Sequence, residues 1–328
     1  MHSVKQLERF LADTRPPDSQ GNAEPRVHGP IWRGRNAWVY RVHADWLPGA
    51  AALKVCRQWL SGELNPDAAR IQFDALMRVE RAIGSNGAYR VPTPYSLLQQ
   101  HACYLAAWID GPSMETTLAC DSATDSSRLR LVGDAGAWLR RFHASCNSGI
   151  DHLDTAEQLG HLSERLGFVP RTDVRVSDAL AALRASASRI ADATIGTSWT
   201  HGDFKPANIL REHDLLYSID VAAGDTNVVV FDIAQFLNGL SALAEHSGSR
   251  PFIDALPRLE DAFWLSYAGG DADQRLREVT LWLRLVLLLE ASAGPAHGPK
   301  DVLRRLWRRR TDQHAIVKMT HRLLNSAG

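Results

Sequence analysis

The chemically richest stretch of this 328-residue chain is His201-Gly202-Asp203-Phe204-Lys205-Pro206-Ala207-Asn208, followed at a short distance by Ser218-Ile219-Asp220. An aspartate and an asparagine five residues apart on a loop, with a second aspartate at the end of a strand, suit phosphoryl transfer. One carboxylate can take the proton of an attacking hydroxyl, while the amide and the other carboxylate offer hard oxygen ligands to Mg²⁺. The basic residues add a second hint. Of 37 Lys+Arg only five are lysine, at positions 5, 54, 205, 300 and 318, yet two of these fall at 54 and 205. A compact ammonium and a planar guanidinium fork are not interchangeable at a phosphate clamp.

The 201–208 segment resembles the H-G-D-x-x-x-x-N signature of the aminoglycoside phosphotransferase and choline kinase branch of the protein-kinase-like superfamily. That resemblance implies an α+β, bilobal fold with a small β-rich N-lobe and a larger, mainly helical C-lobe. It implies Asp203 as catalytic base, Asn208 and Asp220 as metal ligands, and Lys205 as a lysine touching the transferred phosphoryl group. His201 would buttress the loop. The implied co-substrate is ATP or GTP with Mg²⁺, and the implied acceptor is a hydroxyl of a small molecule (amino sugar, sugar or amino alcohol).

A nucleotide-binding lobe must then precede the loop. Arg33-Gly34-Arg35-Asn36-Ala37-Trp38-Val39 is similar to a shortened phosphate-covering hairpin, with Gly34 and Asn36 in the turn and Val39 packing on the base. Lys54, in Ala-Ala-Leu-Lys-Val-Cys, matches the third-strand lysine that pairs with the α- and β-phosphates. A lysine among apolar neighbours needs a partner. Gln72 and Asp74 lie nearest the expected spacing and Glu80 further off; Asp74 is favoured because only an acid compensates the charge. Tyr104 to Gly111 resembles the inter-lobe segment, where the backbone of Ala107 and Ile109 would read the base. His143, at a helix end similar to L-x-x-L-H, reads as structural.

The acceptor class follows from a missing piece. Asp232, in Val-Phe-Asp-Ile-Ala, resembles the family element that caps a helix and braces the catalytic loop, and it stands only twelve positions after Asp220. No A-P-E anchor for a peptide occurs in that interval. Glu260, Asp261 and Glu290 are candidate acids for a cationic acceptor, with surface or cap roles as the alternative. Phe263 to Gly270 reads as packing. Residues 301–324 form an amphipathic basic pattern, solvated or facing an anionic partner. Two other readings stay open: a non-catalytic pseudokinase binding nucleotide or a protein partner, and an atypical protein kinase.

The elements needed to hold these groups are visible as periodicity. Residues 1–13 carry a short amphipathic helical pattern, and 27–55 read as strands. Asn65-Pro66-Asp67 opens a helix with Ile71, Ala75, Leu76, Val79 and Ile83 on one side. Extended pieces follow around 90–109. Beyond residue 112 the pattern is helical, with Leu131, Ala135, Trp138, Leu139 and Phe142 on one face, a further helix over 178–193, and a β-like island around 198–221. The division expected is 1–106 for the nucleotide lobe, 107–112 for the linker and 113–328 for the helical lobe.

Composition bounds the alternatives. Lys+Arg and Asp+Glu balance at 37 each, which argues against nucleic acid as a whole-protein partner, and 45% hydrophobic residues supply sizeable cores. Four cysteines without a C-x-x-C pair exclude a disulfide-dense scaffold or a cysteine zinc module. The first residues lack the apolar run of a signal peptide. Val279–Ala291, interrupted by Arg284 and Glu290, is too short to span a bilayer. A cytoplasmic location is expected; the sequence is silent on oligomeric state.

Overall fold

The computed structural model describes residues 3–15, 23–34, 36–58, 61–120, 122–166, 173–221, 226–293 and 314–325. The chain divides into two compact units, one of Met1–Gly111 with Leu210–Ala223 and one of Pro112–Ile209 with Gly224–Gly328. The division differs from the expected one in two ways. Residues 107–111 belong with the first unit, and so does the hairpin that follows the catalytic loop.

In the first unit, α1 (Val4–Asp13) precedes β1 (Arg26–Arg33), β2 (Ala37–His43), β3 (Ala51–Cys56), α2 (Pro66–Ile83), β4 (Tyr89–Arg90), β5 (Pro94–Leu98) and β6 (Cys103–Ala107). Five of these strands form an antiparallel sheet in the order β1-β2-β3-β6-β5. Strand side chains alternate between faces. Tyr40, Val42, Leu53, Val55, Cys103 and Leu105 point to one face, and α1 closes it by burying Leu7 and Leu11. A capping box starts α1: Ser3 Oγ accepts from Gln6 N–H at 3.2 Å, and Gln6 Oε1 accepts from Ser3 N–H at 2.7 Å.

The opposite face carries Val39, Lys54 and Tyr104, which are directly opposed across β2, β3 and β6. Helix α2 packs there. Asn65 Oδ1 caps it by accepting from Ala68 N–H at 3.0 Å, and Pro66 occupies the first turn, where no intrahelical N–H is needed. Ala75, Leu76, Val79 and Ile83 are buried as expected, whereas Ile71 lies at the rim, 39% exposed.

The second unit holds α3 (Met114–Ala119), α4 (Asp125–Ser145), β7 (Asn147–His152), α5 (Thr155–Leu166), α6 (Val174–Ala191) and β8 (Thr194–Trp199). Next comes β9 (Ile209–Glu212), which crosses the boundary into the first unit and there pairs with β10 (Leu215–Ser218), itself parallel to β4. The chain then returns through β11 (Thr226–Val228), α7 (Val230–Ser247), α8 (Arg250–Ala268), α9 (Gln274–Ala293) and α10 (residues 314–325). Strands β11, β8 and β7 form a small antiparallel sheet.

Helices α4 and α8 cross closely, because α4 offers Gly133 and Gly136 at the crossing. A Cβ at Gly136 would collide with the carbonyl oxygen of Phe263. The clash is with backbone, so a whole helix would have to move. Gly136→Val is expected to destabilise the chain by about 3 kcal/mol, read as a lowered urea midpoint, with Gly133→Ala costing less because its neighbour is the Ser266 side chain.

The α4 face expected from periodicity (Leu131, Ala135, Trp138, Leu139, Phe142) is fully buried. Trp138 stacks on Phe142 and Phe204, and Phe204 continues through Phe236 to Phe263. This aromatic column floors the catalytic loop. Of the basic stretch 301–324, residues 301–313 lie outside the described part. The remainder is helical and buries Ile316, Met319 and Leu323.

Candidate active site

The loop from His201 to Asn208 takes its shape from a carboxylate beneath it. Asp232, on the first turn of α7 and fully buried, accepts from the backbone N–H of His201 (Oδ2, 2.6 Å) and of Gly202 (Oδ1, 2.9 Å). It braces the loop as expected but does not cap the helix, whose N-cap is Val229. His143 Nε2 donates to the same Oδ2 at 3.1 Å. An ionised carboxylate only accepts, so the proton sits on Nε2, and Nδ1 accepts the Tyr267 hydroxyl at 2.9 Å. Burial first, and the Asp232 charge second, push the Tyr267 phenol upward. The imidazole of His201 is buried edge-on against Trp138, Phe142 and Phe204, and its Nδ1 accepts from Asp203 N–H at 3.3 Å.

On this base three functional side chains meet. Lys205 Nζ donates to both oxygens of Asp203, at 2.8 and 2.7 Å. Asn208 Nδ2 donates to the Asp203 carbonyl at 2.9 Å and to Asp203 Oδ2 at 2.8 Å. The Asp203 and Lys205 side chains remain 45% and 43% exposed, so the carboxylate is fixed in direction yet open to a ligand. α7 supports the loop again at Gly239, which lies against Pro206 and Lys205.

In the first unit Lys54 is buried and donates to Asp220 Oδ1 at 2.7 Å. Burial by itself disfavours the charged amine. The neighbouring Tyr104 and Asp220 more than offset it, and Lys54 titrates well above the ordinary lysine range. Asp220 holds φ at +59°, in the left-handed region that costs a non-glycine residue about 1 kcal/mol. That backbone turn aims its carboxylate at Lys54.

Asp74 is not the partner of Lys54. Its carboxylate is half-exposed and pairs with Arg70 at 3.4 Å, one helical turn away. Gln72 instead faces β3, with Oε1 3.9 Å from Cys56 Sγ. The reason is the rotation of α2 on the sheet, which turns position 72 inward and 74 outward.

The hairpin between β1 and β2 is tight, since Gly34 N–H donates to Ala37 O at 2.9 Å, and Asn36 O accepts from Arg57 N–H at 2.7 Å. A Cβ on Gly34 would run into the indole of Trp32, which is half-exposed and would have to turn aside. Val39 shares the Lys54 face. In the connecting segment, Ala107 N–H donates to Thr93 O at 2.8 Å and Trp108 N–H to Ala50 O at 3.0 Å. No recorded hydrogen bond uses Ile109 N–H among the described residues. Sequence reasoning missed the clamp beside it. Arg41 donates to Asp110 through both terminal nitrogens (3.2 and 2.7 Å), Trp108 Nε1 donates to Asp110 at 3.1 Å, and Asp110 N–H donates to Glu212 at 2.7 Å. Only the Arg-Trp-Asp composition could have signalled it.

Asn208 and Asp220 each carry an oxygen of the hard type that a small divalent cation takes, and both Nδ2 contacts of Asn208 fall on Asp203. The residues fit the group. Among the described residues no cluster of three or more His, Cys, Asp or Glu could hold a metal unaided. The expected acceptor acids fare differently. Glu260 is clamped by Arg284 (3.0 Å) and Arg322 (3.1 Å); burial opposes its charge, yet these two arginines prevail and lower its pKa. Glu260 is therefore a structural counter-ion for Arg284 and Arg322. Asp261 pairs with Arg277 at 3.2 Å.

Several buried acids in the first unit titrate high. Burial pushes Cys56 up to about 11, Cys103 up to about 12 and Tyr104 up to about 12. Each keeps its proton in the folded state over a range where the unfolded chain has lost it, and Lys54 behaves likewise above its ordinary value. Unfolding therefore releases protons at high pH, and stability falls as pH rises. The unfolding midpoint is expected to hold steady to about pH 8.5 and to decline beyond it, as model thiols titrate first and then phenols and amines. Thermal melts from pH 7 to 11 check this.

Residues 30–242 match the phosphotransferase enzyme family. No curated protein matches the chain in sequence. Among solved structures, the chain is similar to a choline/ethanolamine kinase family protein from Mesorhizobium loti (TM-score 0.58, 12% identity, 98% of this chain and 95% of that one). It is also similar to a spectinomycin phosphotransferase in complex with ADP and spectinomycin (TM-score 0.57, 12% identity, 98% of each chain). A glucosamine kinase in complex with glucosamine, ADP and inorganic phosphate matches at TM-score 0.55 and 17% identity, over 88% of this chain and 80% of that one. At such identities these likenesses establish a shared kinase-like fold, with a β-rich N-terminal part and a helical C-terminal part. No described helix is long and apolar enough to cross a membrane. With about two thirds of its length matched and the Asp203 loop inside that match, the chain belongs to the phosphotransferase enzyme family.

Proposed function

We propose that the chain transfers the γ-phosphoryl group of ATP or GTP to a hydroxyl of a small molecule: an amino sugar, sugar or amino alcohol. The observation that carries this reading is Asp203 itself, a half-exposed carboxylate whose direction is fixed by Lys205 and Asn208 on a loop pinned by Asp232. Asp203 orients the acceptor hydroxyl and takes its proton, a role worth about 10²–10⁴ in rate. Lys205, already at Asp203, neutralises charge on the transferred group.

In the first unit Lys54 binds the α- and β-phosphates, and Val39 and the backbone of Ala107 and Ile109 receive the base. The contribution of Gly34 is room for the Trp32 indole, since its own N–H is committed to Ala37. Asn208 and Asp220 would ligate Mg²⁺, which when bound would neutralise phosphate charge. Such a reaction works by positioning and charge neutralisation.

A small-molecule acceptor is supported by the twelve-position step from Asp220 to Asp232, which leaves no length for a peptide-docking segment. Similar structures hold spectinomycin and glucosamine, each with ADP. A nucleoside triphosphate as co-substrate supports the cytoplasm as the site of the reaction. An acceptor screen with ATP and Mg²⁺ over aminoglycosides, sugars, amino alcohols and hydroxy amino acids tests the reading. Phosphorylation of one class, abolished by Asp203→Asn, supports it. Phosphate transfer to proteins alone would overturn it.

A further inference from the structure

We propose that Asp110 is a positioning residue for the nucleotide base: with Arg41, Trp108 and Glu212 it holds the Ile109 backbone N–H where the base accepts from it. The inference deepens the proposed function and rests on the nucleotide site given to the first unit above. It starts from an orphan donor. Of the four successive N–H groups from Ala107 to Asp110, three are engaged: Ala107 on Thr93 O at 2.8 Å, Trp108 on Ala50 O at 3.0 Å and Asp110 on Glu212 Oε1 at 2.7 Å. The Ile109 N–H alone is left without a hydrogen bond among the described residues, although Ile109 is buried. Buried backbone donors are almost always paired, so this one has room for a partner from outside the chain. The edge of a purine, with its accepting ring nitrogens, is such a partner.

The residues on either side of that donor are pinned. Arg41, on β2, donates through its two terminal nitrogens to the two oxygens of Asp110, and Trp108 Nε1 donates to Asp110 Oδ1 as well. The Arg41 guanidinium also lies over the Trp108 indole, 5.1 Å from its centroid. On the other side Glu212, on β9, takes the Asp110 N–H, and Gly111 lies so near the Arg211 carbonyl that a Cβ would collide with it. One exposed ion pair would do little. A bidentate pair that shares its carboxylate with an indole fixes direction as well as distance. The peptide of Ile109 therefore cannot turn without breaking a contact at Trp108 or Asp110. A donor held still before the nucleotide arrives removes an ordering cost from binding.

The test uses the full chain as wild type, Asp110→Ala, Arg41→Met, Glu212→Ala and Glu212→Gln. Affinities for ADP and for inorganic tripolyphosphate, each with Mg²⁺, are measured by calorimetry. Thermal melts and amide exchange of residues 107–111, without nucleotide, are recorded alongside. The Asp110 side chain is 63% exposed, so its replacement leaves the core intact. Expected for Asp110→Ala, Arg41→Met and Glu212→Ala are ADP binding weakened about fivefold and faster exchange over 107–111, with melts like wild type. Glu212→Gln keeps an accepting oxygen and should bind ADP as wild type does. Tripolyphosphate has no base, and all four variants should bind it as tightly as wild type. ADP bound equally well by Asp110→Ala and wild type overturns the proposal. So does an equal loss of ADP and tripolyphosphate, which would make the clamp merely structural; Arg41→Met and Glu212→Ala decide both points if Asp110→Ala fails to fold. A wild-type chain that binds neither ligand would instead sink the nucleotide reading, and this proposal with it.

Discussion

Asp203→Ala is expected to lower kcat by about 10³ while leaving nucleotide affinity near the wild-type value. The carboxylate is the solvent-open acceptor on the loop, whereas the His201 imidazole is buried, and the two neighbours of the carboxylate are donors: Lys205 at 2.8 and 2.7 Å and Asn208 at 2.8 Å. Neither can replace it. Asp203→Asn should lose nearly as much, since an amide keeps the shape but takes no proton at neutral pH. Because the side chain is almost half exposed, the fold should tolerate both changes within about 1 kcal/mol. Steady-state kinetics with the acceptor found in the screen, together with thermal melts, separate a catalytic loss from a folding loss. An Asp203→Ala enzyme retaining a tenth of wild-type kcat would remove the residue from the role of base.

Asp232→Ala should have the largest effect on stability, about 3–5 kcal/mol. A fully buried carboxylate there satisfies His201 N–H, Gly202 N–H and His143 Nε2 at once, and its removal strands three donors away from water. Asp232→Asn should cost less, because one accepting oxygen survives, although its NH₂ group then faces donors. Urea unfolding gives the difference. Activity should fall in the same variants before unfolding does, since the loop loses its template. An Asp232→Ala chain as stable as wild type would mean that water or a rearranged loop satisfies those donors.

The parts of the site that were readable in the sequence are those whose chemistry restricts both residue type and spacing. Asp203, Lys205 and Asn208 sit on one loop, so sequence distance nearly determines geometry, and the structure brings them within hydrogen-bonding range. Lys54 stood out because a lysine in an apolar strand is costly without a partner. Which partner it takes was not readable. A helical wheel gives the angle between Gln72 and Asp74 but not the rotation of α2 on the sheet, and Arg70 offered Asp74 a local partner one turn away. Glu260 failed for a related reason, since its two arginines come from α9 and α10 and no local pattern announces them. Strand β7 escaped notice because Asn147–His152 is exposed along its whole length and carries no alternation. The assignment of 210–223 to the first unit depends on the pairing of β10 with β4, a contact between segments more than a hundred residues apart.

Helix α1 touches none of the reacting groups, yet it has a practical bearing on them. The sheet that carries Lys54 is only one layer thick, and its far side consists of Val27, Tyr40, Val42, Leu53, Val55 and Leu105. Leu7 and Leu11 shield that side, each contributing about 2 kcal/mol through burial. Trimming the chain at residue 14 to tidy its amino terminus would expose an oily slab, and aggregation, rather than any missing chemistry, would then look like inactivity.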